Sequence, residues 1–313
     1  MTYTTRALVV VVLMQFLSGC STTTLQEPPP NPDPITITSA GGTKIHIVQT
    51  GWVSVKDNFR EISGPESLRT LSIVLDRSWT EWMPIQLYVI EHPEGIVLLD
   101  TGETSRVNEA DYFNCDPGTN WFYLNQLRFA VNPEDELGDQ LAKLGISTDS
   151  VRWTVLSHLH SDHMGGLEYL TDSEILISRA DANGHQGALL CRLPKGLEPK
   201  FVDYTDEGFG AFDKSYSVTA DGSIRIVPTP GHTAGHQSLL LKDDGKYYLF
   251  AGDAIFDLER LDRGTAIAGI VEDVDAAKDT VLRIERQLRD FDTYLAPAHD
   301  HGVRHRHKRK ARP

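Results

Sequence analysis

Four groups of histidine and aspartate stand where predicted strands end, and these residue types could together bind metal ions. The densest group reads His158-Leu159-His160-Ser161-Asp162-His163. Residues i and i+2 of an extended segment point the same way, so His158 and His160 can bind one ion. Asp162 and His163, in the turn that follows, face a neighbouring position. The other three groups supply His232, Asp253 and His299.

Neutral imidazoles and carboxylates are the ligands that zinc and similar borderline ions prefer. Seven such groups are enough for two divalent ions, with zinc the expected metal. Two ions about 3.5–4 Å apart ionise a shared water molecule at neutral pH and polarise a carbonyl or phosphoryl oxygen. These residues therefore predict hydrolysis, with Asp162 placed to pass a proton to the leaving group.

Short apolar strands and amphipathic helices must position these side chains. In the first half of the chain, strands are predicted at residues 45–48, 71–75, 85–90, 96–99 and 151–156, with a helix that begins after Asn132-Pro133 and ends at Gly145. In the second half, strands are predicted at residues 174–177, 224–227, 237–241, 246–251 and 293–295, with a helix from about 273 to 288. This alternation favours an α/β sandwich with two sheets inside and helices outside.

The segment from His158 to His163 resembles the His-x-His-x-Asp-His signature of the metallo-β-lactamase superfamily, and the resemblance extends from about Ile45 to His299. It implies an αββα four-layer sandwich. It also implies that Asp100, in an Asp-Thr-Gly turn, orients a ligand histidine, and that Asp253 bridges the two metals. One metal would be held by His158, His160 and His232, and the other by Asp162, His163 and His299.

Further motifs resemble one branch of that superfamily. His160 stands where oxygen-reducing diiron relatives carry a carboxylate, and Asp253 is a bridging residue that true metallo-β-lactamases lack. Residues 97–102, 231–239 and 251–254 look most like the N-acyl homoserine lactonases, which implies opening of the ester bond of a small cyclic lactone. One position departs from that group, because Phe256 stands where the best-known lactonases carry a tyrosine. Phenylalanine can pack against an acyl chain but has no hydrogen-bond donor.

Several alternatives remain open at the level of sequence. His236 is a structural or ligand-orienting residue, or else a ligand, and His301 competes with His299 for the last ligand position. A thioesterase of the glyoxalase II kind or a phosphodiesterase would use the same metal centre. A lipid-anchored metal-binding module without catalysis is the alternative outside the enzymes.

The N-terminus is typical of an exported protein. An apolar run from Ala7 to Met14 follows Arg6, and Leu17-Ser18-Gly19-Cys20 resembles the bacterial lipoprotein cleavage box. We expect a signal peptide at residues 1–19, lipidation of Cys20, and a Pro-rich tether at residues 20–34. The catalytic domain is expected at residues 35–303 and a basic tail at residues 304–313. The enzyme would then be anchored to a membrane and face the periplasm.

The formal net charge is −14, although six cationic residues lie in the last ten positions. An acidic body without a basic stripe makes nucleic acid an unfavourable partner. The basic tail is expected to be a solvated end, with contact to anionic lipid headgroups as the alternative. In an oxidising compartment Cys115 and Cys191 form a disulfide or remain two separate buried thiols, and their spacing alone does not decide between these states. Oligomeric state has no signature in the sequence.

Overall fold

A computed structural model describes residues 27–61, 65–184 and 187–306. Within these ranges the strands form two sheets. The strands are β1 (Ile35–Thr38), β2 (Lys44–Val55), β3 (Met83–His92), β4 (Gly95–Leu99), β5 (Leu127–Ala130), β6 (Val151–Val155), β7 (Glu174–Ser178), β8 (Lys200–Val202), β9 (Tyr216–Ser217), β10 (Ile224–Pro228), β11 (Gln237–Asp243), β12 (Lys246–Gly252) and β13 (Thr293–Pro297).

The helices of the described residues are mostly short, and only one exceeds ten residues. They are α1 (Asp57–Arg60), α2 (Arg69–Leu75), α3 (Pro117–Gln126), α4 (Leu137–Lys143), α5 (Ser161–Met164), α6 (Arg179–Ala182), α7 (Leu258–Arg263), α8 (Val274–Asp290) and α9 (Val303–Arg306).

The larger sheet has the strand order β1-β2-β3-β4-β6-β7-β8, with β5 paired to β2. Strands β1 to β4 are antiparallel neighbours, whereas β4, β6, β7 and β8 run parallel. The smaller sheet has the order β13-β12-β11-β10-β9, in which β12 and β13 are parallel. Each sheet therefore has a set of strands whose carboxyl ends meet at one edge.

Three apolar clusters separate four layers. Successive strand residues point to opposite faces, so Ile47 packs between the two sheets while Val48 packs under the outer helices of the larger sheet. On the smaller sheet, Leu239 packs between the sheets and Leu240 contacts the cluster that contains Ile284 of α8. The arrangement is helix, sheet, sheet, helix. The predicted αββα sandwich is confirmed.

The long helix α8 shows how one element is specified. Asp273 caps its amino end by accepting a hydrogen bond from the backbone N–H of Ala276. Its buried residues recur every three or four positions, which is the spacing of one helical face. They are Val274, Ala277, Thr280, Ile284 and Gln287.

The predicted strand at residues 71–75 is wrong, because these residues belong to helix α2. In this run Ile73 is buried while Leu71 and Leu75 are exposed, which follows a helical rather than a strand period. The helix predicted after Asn132 is present in two parts, a 3-10 turn at Pro133–Asp135 followed by α4.

The expectation of a solvated tail from residue 304 is wrong for its first residues. Arg304 donates to the backbone oxygen of Asp33, and Arg306 donates to Leu295 O and pairs with Asp300. Cationic side chains there meet carbonyl and carboxylate acceptors on the body, so α9 packs onto it. The rest of the predicted tail, residues 307–313, lies outside the described residues.

The predicted signal peptide, Cys20 and tether residues 21–26 also lie outside the described residues. The described part of the tether lies against the domain, where Asn31 Nδ2 donates to Gln49 O at 2.7 Å. Among the described residues, none of the helices combines the length and apolar character that crossing a bilayer demands.

Candidate metal centre

The strand ends of both sheets deliver their histidines and aspartates to one edge of the sandwich. His158 follows β6, and Asp100 follows the parallel neighbour β4. In the smaller sheet Asp253 follows β12 and His299 follows β13. The two sheets are tied together at this edge, since Gln86 N donates to Ala298 O at 3.1 Å. All seven predicted ligands are thereby brought together.

Three imidazoles form the first group. His160 Nδ1 lies 2.8 Å from His158 Nε2 and 3.1 Å from His232 Nε2. The Nδ1 of His232 donates to Ile270 O at 3.0 Å, which directs its Nε2 towards the other two rings. Nitrogen atoms at these distances need a proton or a cation between them. The three ligand atoms lie within 4.8 Å of one another, as a shared metal ion requires.

Asp162, His163 and His299 form the second group, again within 4.8 Å. His163 Nδ1 lies 2.8 Å from Asp100 Oδ2, and His299 Nδ1 lies 2.8 Å from Pro84 O. With Nδ1 occupied by these acceptors, each ring directs Nε2 towards the centre. The carboxylate of Asp162 completes the group, with Oδ2 3.5 Å from His299 Nε2.

Asp253 stands between the two groups. Its Oδ1 lies 3.4 Å from His163 Nε2 and 3.2 Å from His299 Nε2. Its Oδ2 lies 3.6 Å from His232 Nε2. One carboxylate oxygen therefore faces each group, which is the placement that a residue shared by two cations needs.

Two buried atoms at the centre indicate that the donor set fits cations. His163 Nε2 and Asp253 Oδ1 are shielded from solvent and have no hydrogen-bond partner among the described residues. Buried polar atoms are rarely left in this state unless an ion or a water molecule completes them. Nitrogen and carboxylate donors of this kind match zinc.

The electrostatics point the same way. Burial, followed by the neighbouring imidazoles, holds the pKa of His158 well below its usual value, so the ring is a neutral donor. At His163, burial alone would lower the pKa, but Asp253, Asp100 and Asp162 outweigh it and raise the pKa well above its usual value. Burial raises the pKa of Asp253, but His299 and His163 together bring it well below the ordinary value. Without metal, the carboxylates of the centre therefore favour a positive charge placed between them.

Asp100 lies in the backbone conformation that its role requires. Its φ is 63°, in the left-handed region that few residues other than glycine adopt, and this turns its carboxylate back towards β6. Ser157 holds that carboxylate in place by donating from its backbone N at 2.6 Å and from Oγ at 2.9 Å. Ser157 was not among the predicted site residues, although its position between a buried strand and His158 was a signal.

His236 and His301, whose roles the sequence left undecided, lie in different surroundings. His236 Nε2 accepts a hydrogen bond from Asp253 N at 3.0 Å, and its Nδ1 lies 2.8 Å from Thr229 Oγ1. Both ring nitrogens are thus engaged away from the ligand groups, and burial lowers the pKa of His236 to about 3, which keeps it neutral. His301 is exposed and its ring lies 5.8 Å from that of Trp52. His299, not His301, reaches the centre.

An apolar cavity of about 380 Å³ opens onto the ligand groups. Phe256 forms part of its inner end, with its ring centre 5.5 Å from that of His299 and 6.0 Å from that of His232. Asp162 also lines it. The remaining wall comes from β2, β3, the helices α1, α2 and α3, and the segment before α8. It includes Val53, Val55, Phe59, Val74, Met83, Trp121, Phe122, Tyr123 and Ile270.

The wall is fastened by one covalent bond and one hydrogen bond. Cys115, just before α3, forms a disulfide with Cys191, which decides between the two alternatives left open by the sequence. Tyr123 Oη, on α3, donates to Gly187 O at 2.8 Å. These links hold α3 beside the segment that borders His160, since a Cβ added at Gly187 would stand 2.9 Å from His160 Nε2.

Known proteins share this architecture. The metallo-beta-lactamase superfamily model matches residues 80–299, more than half of the chain. An N-acyl homoserine lactonase of a Bacillus species is 31% identical over 224 residues, covering 70% of this chain and 82% of the relative.

Two solved structures have the same fold. A mutant of AiiA from B. thuringiensis, with N-decanoyl-L-homoserine bound at the active site, superposes with a TM-score of 0.65 at 21% identity, covering 83% of this chain and 94% of that chain. AidC, a dizinc quorum-quenching lactonase, gives a TM-score of 0.60 at 17% identity, covering 86% and 91%. Together with the superfamily match, these findings show that the chain belongs to the metallo-β-lactamase superfamily.

Proposed function

We propose that this protein is a two-metal hydrolase that opens the ester bond of N-acyl homoserine lactones or closely related lactones. The observation that carries the proposal is a pair of ligand groups, joined by Asp253, at the inner end of an apolar cavity. The polar atoms converge at one end and the apolar wall extends from it, so the site suits a small polar ring with an acyl chain.

The geometry supports an assignment of the ligand roles. One ion is assigned to the three-imidazole group, the other to the group containing Asp162, and Asp253 to both. The seven assigned ligands are His158, His160, Asp162, His163, His232, Asp253 and His299. Two divalent ions, with zinc the expected metal, would supply an ionised water molecule at neutral pH and polarise the lactone carbonyl.

The chain's own residues orient the substrate and move the proton. Asp162 lines the cavity and is placed to hand a proton to the departing ring oxygen. Phe256 packs at the same end but has no donor, so it contributes shape and exclusion of water rather than a hydrogen bond to the substrate. His299 and His163 stay directed at the centre because Pro84 O and Asp100 engage their Nδ1 atoms.

Two sets of observations favour a lactone over the alternatives. The Bacillus relative is an N-acyl homoserine lactonase, and the AiiA structure holds the acyl homoserine that ring opening releases. The described residues that line the cavity include no lysine or arginine, so the cavity offers no cationic side chain to a phosphodiester. A thioesterase would require the same electrostatic environment as a lactonase. The two activities are therefore distinguished by comparing turnover of a lactone and a thioester.

The test is turnover of N-decanoyl homoserine lactone by the purified, zinc-loaded protein, compared with an acyl thioester and an activated phosphodiester. We expect the lactone to be hydrolysed fastest. His160→Ala should abolish that turnover, whereas His301→Ala, which changes an exposed histidine away from the ligand groups, should retain it. Lactone hydrolysis that survives His160→Ala, or that is slower than thioester hydrolysis, would remove the proposal.

We also propose that the protein is exported and anchored by lipid at Cys20. The apolar run from Ala7 to Met14 and the cleavage box that ends at Cys20 support this localisation. Mass spectrometry of the mature N-terminus from bacterial membranes should find Cys20 as the first residue, with acyl chains attached. A mature protein that begins elsewhere, or Cys20→Ser protein that is processed and retained in membranes equally well, would refute the anchor.

A further inference from the structure

Large apolar side chains are exposed on two helices at one end of the domain. Five such residues, which we call the apolar rim, are between 48% and 67% exposed. The rim consists of Leu68, Leu71, Leu75, Trp121 and Leu124. The described residues contain only two other large hydrophobic side chains with comparable exposure, Leu190 and Leu282, so exposure of this kind is concentrated in the rim.

The spacing puts each helix's rim residues on one side. Leu71 and Leu75 are four residues apart on α2, with Leu68 three residues earlier, and Trp121 and Leu124 are three apart on α3. Contiguous exposed apolar surface on a protein of this kind marks a binding surface.

The two helices carry almost no charge. The sequence of α3, from Pro117 to Gln126, contains no ionisable acidic or basic side chain other than that of buried Tyr123. On α2 the only charged residue is Arg69, whose guanidinium donates to the backbone oxygen of Val271. In a protein with a net charge of −14, the two helices thus present an uncharged, apolar surface, and charged residues such as Asp76, Arg77 and Asp116 stand at their ends.

The rim adjoins the mouth of the cavity at Trp121. Thr70 and Gly118 line the cavity and are exposed, as is Trp121, so the cavity opens between α2 and α3. Trp121 belongs to both features, because it lines the cavity and is part of the rim. Whatever covers the rim also faces the entrance to the metal centre.

The N-terminal segment enters the domain near this end. Asn31 is hydrogen-bonded to Gln49 O on β2, and β2 reaches the cavity wall at Val53 and Val55. Gln49 and Val53 are therefore about 13 Å apart along the strand. From Asn31 back to Cys20, the chain can span roughly 30 Å in an extended Pro-rich conformation. A lipid anchor at Cys20, as proposed above, would therefore bring a bilayer within reach of the rim.

We propose that the apolar rim docks on an uncharged, zwitterionic lipid surface and directs the mouth of the cavity at the bilayer. Leucine side chains suit the acyl boundary, and tryptophan favours the headgroup level. A second copy of this chain fits less well, since both copies would be strongly acidic. This docking holds whether or not the substrate is a lactone, and it would let an amphiphilic substrate enter directly from the lipid.

The test uses the full chain with dioleoylphosphatidylcholine vesicles. After flotation confirms binding, amide hydrogen exchange is measured along the chain, and fluorescence is measured with brominated lipids. We expect exchange in α2 and α3 to slow several-fold on vesicles, and the bromolipids to quench an emission component that Trp121→Phe removes. The variant Leu71→Gln/Leu75→Gln should lose the protection of α2 while the lipid at Cys20 still supports flotation.

Leu282→Gln is the matched control, because it changes a leucine that is 61% exposed on α8 and should leave protection and quenching unchanged. Failure to float, or flotation without protection of α2 and α3, would overturn the proposal. Protection that rises with protein concentration in the absence of vesicles would assign the rim to a second copy. Concentration-independent protection without vesicles would assign it to the chain's own N-terminal segment, and either result also overturns the lipid assignment.

Discussion

The metal centre and the cavity wall are built in different ways. At the centre, ligands stand at the ends of paired strands, and Asp100, Pro84 O and Ile270 O fix the orientation of individual imidazoles. The wall depends instead on short helices, partly exposed apolar side chains and the Cys115–Cys191 disulfide. The sheets therefore position the residues of the metal centre. The short helices added to the sheets shape the cavity that receives the substrate.

The first test of this difference is a substitution at the metal centre. Asp253→Asn should lower turnover by about 10³-fold or more, because a bound metal supplies several kcal/mol of transition-state stabilisation. Metal analysis should show fewer than two ions per chain. Asp292→Asn, which changes an exposed carboxylate paired with Lys246, is the control that should retain both metals. Full activity of Asp253→Asn would mean that the two groups do not act as one centre.

A change in the cavity wall should lower the stability of the protein and leave its metal binding unchanged. The disulfide closes a loop with a sequence separation of 76 residues, so Cys115→Ser/Cys191→Ser should lose about 4 kcal/mol of unfolding free energy. Metal content should stay at the level of the wild type, because the ligands lie outside the wall. Urea unfolding and elemental analysis of the same samples provide the measurement. Loss of metal in the folded double variant would show that wall and centre are not separable.

Glu103 joins the two regions. It follows the Asp100 turn, is fully buried, and accepts a hydrogen bond from Tyr112 Oη at 2.6 Å. The next residue, Phe113, stacks on Tyr123 of the wall. Burial raises the pKa of Glu103 from 4.5 to about 7. The neutral acid therefore stabilises the fold most below pH 4.5, and this contribution is lost as the pH rises through about 7.

Glu103→Gln, a permanently neutral analogue, should remove that pH dependence. Relative to the variant, the wild type should lose on the order of 3 kcal/mol of unfolding free energy between about pH 4.5 and 8. Urea unfolding of both proteins across that range measures the difference. Parallel curves for the two proteins would show that Glu103 does not titrate in the folded state over this range.

A smaller effect at the centre is expected from Asp100→Asn. The amide keeps the size of the side chain but loses the charge that orients His163, and changes of this kind typically cost about 10–100-fold in metal affinity or activity. Zinc titration against a competing chelator measures the affinity. An affinity equal to that of the wild type would mean that Ser157 and the backbone alone position His163.

The metal centre and the cavity wall also differ in how well the sequence predicts them. The strands at the centre were predicted correctly because buried strands have continuous apolar runs and their ends carry unusual residues. The orienting role of Ser157 was missed, since a single serine acquires it only when β4 and β6 pair. The role of His236 stayed open because the partners of its two ring nitrogens come from distant segments.

The cavity wall could not be predicted from the sequence, for physical reasons. Over the five residues Leu71–Leu75, strand and helix periods cannot be told apart, and the helix was therefore predicted as a strand. The disulfide depends on a distance that spacing does not set. The cavity is lined by residues of α2 and α3 that come together only in the folded chain. Added elements of this kind carry little signal in a single sequence.

The mildest test concerns the wall alone. Thr70 lines the cavity from the exposed side of α2, so Thr70→Trp should shorten the space for an acyl chain without entering the core. Because a methylene in an apolar pocket is worth about 1–3 kcal/mol, we expect kcat/KM for N-dodecanoyl homoserine lactone to fall about tenfold. The butanoyl substrate should be unaffected, as should Leu282→Trp with either substrate. Equal losses for both chain lengths would mean that the acyl chain does not extend towards α2, and the wall would then have no part in selecting it.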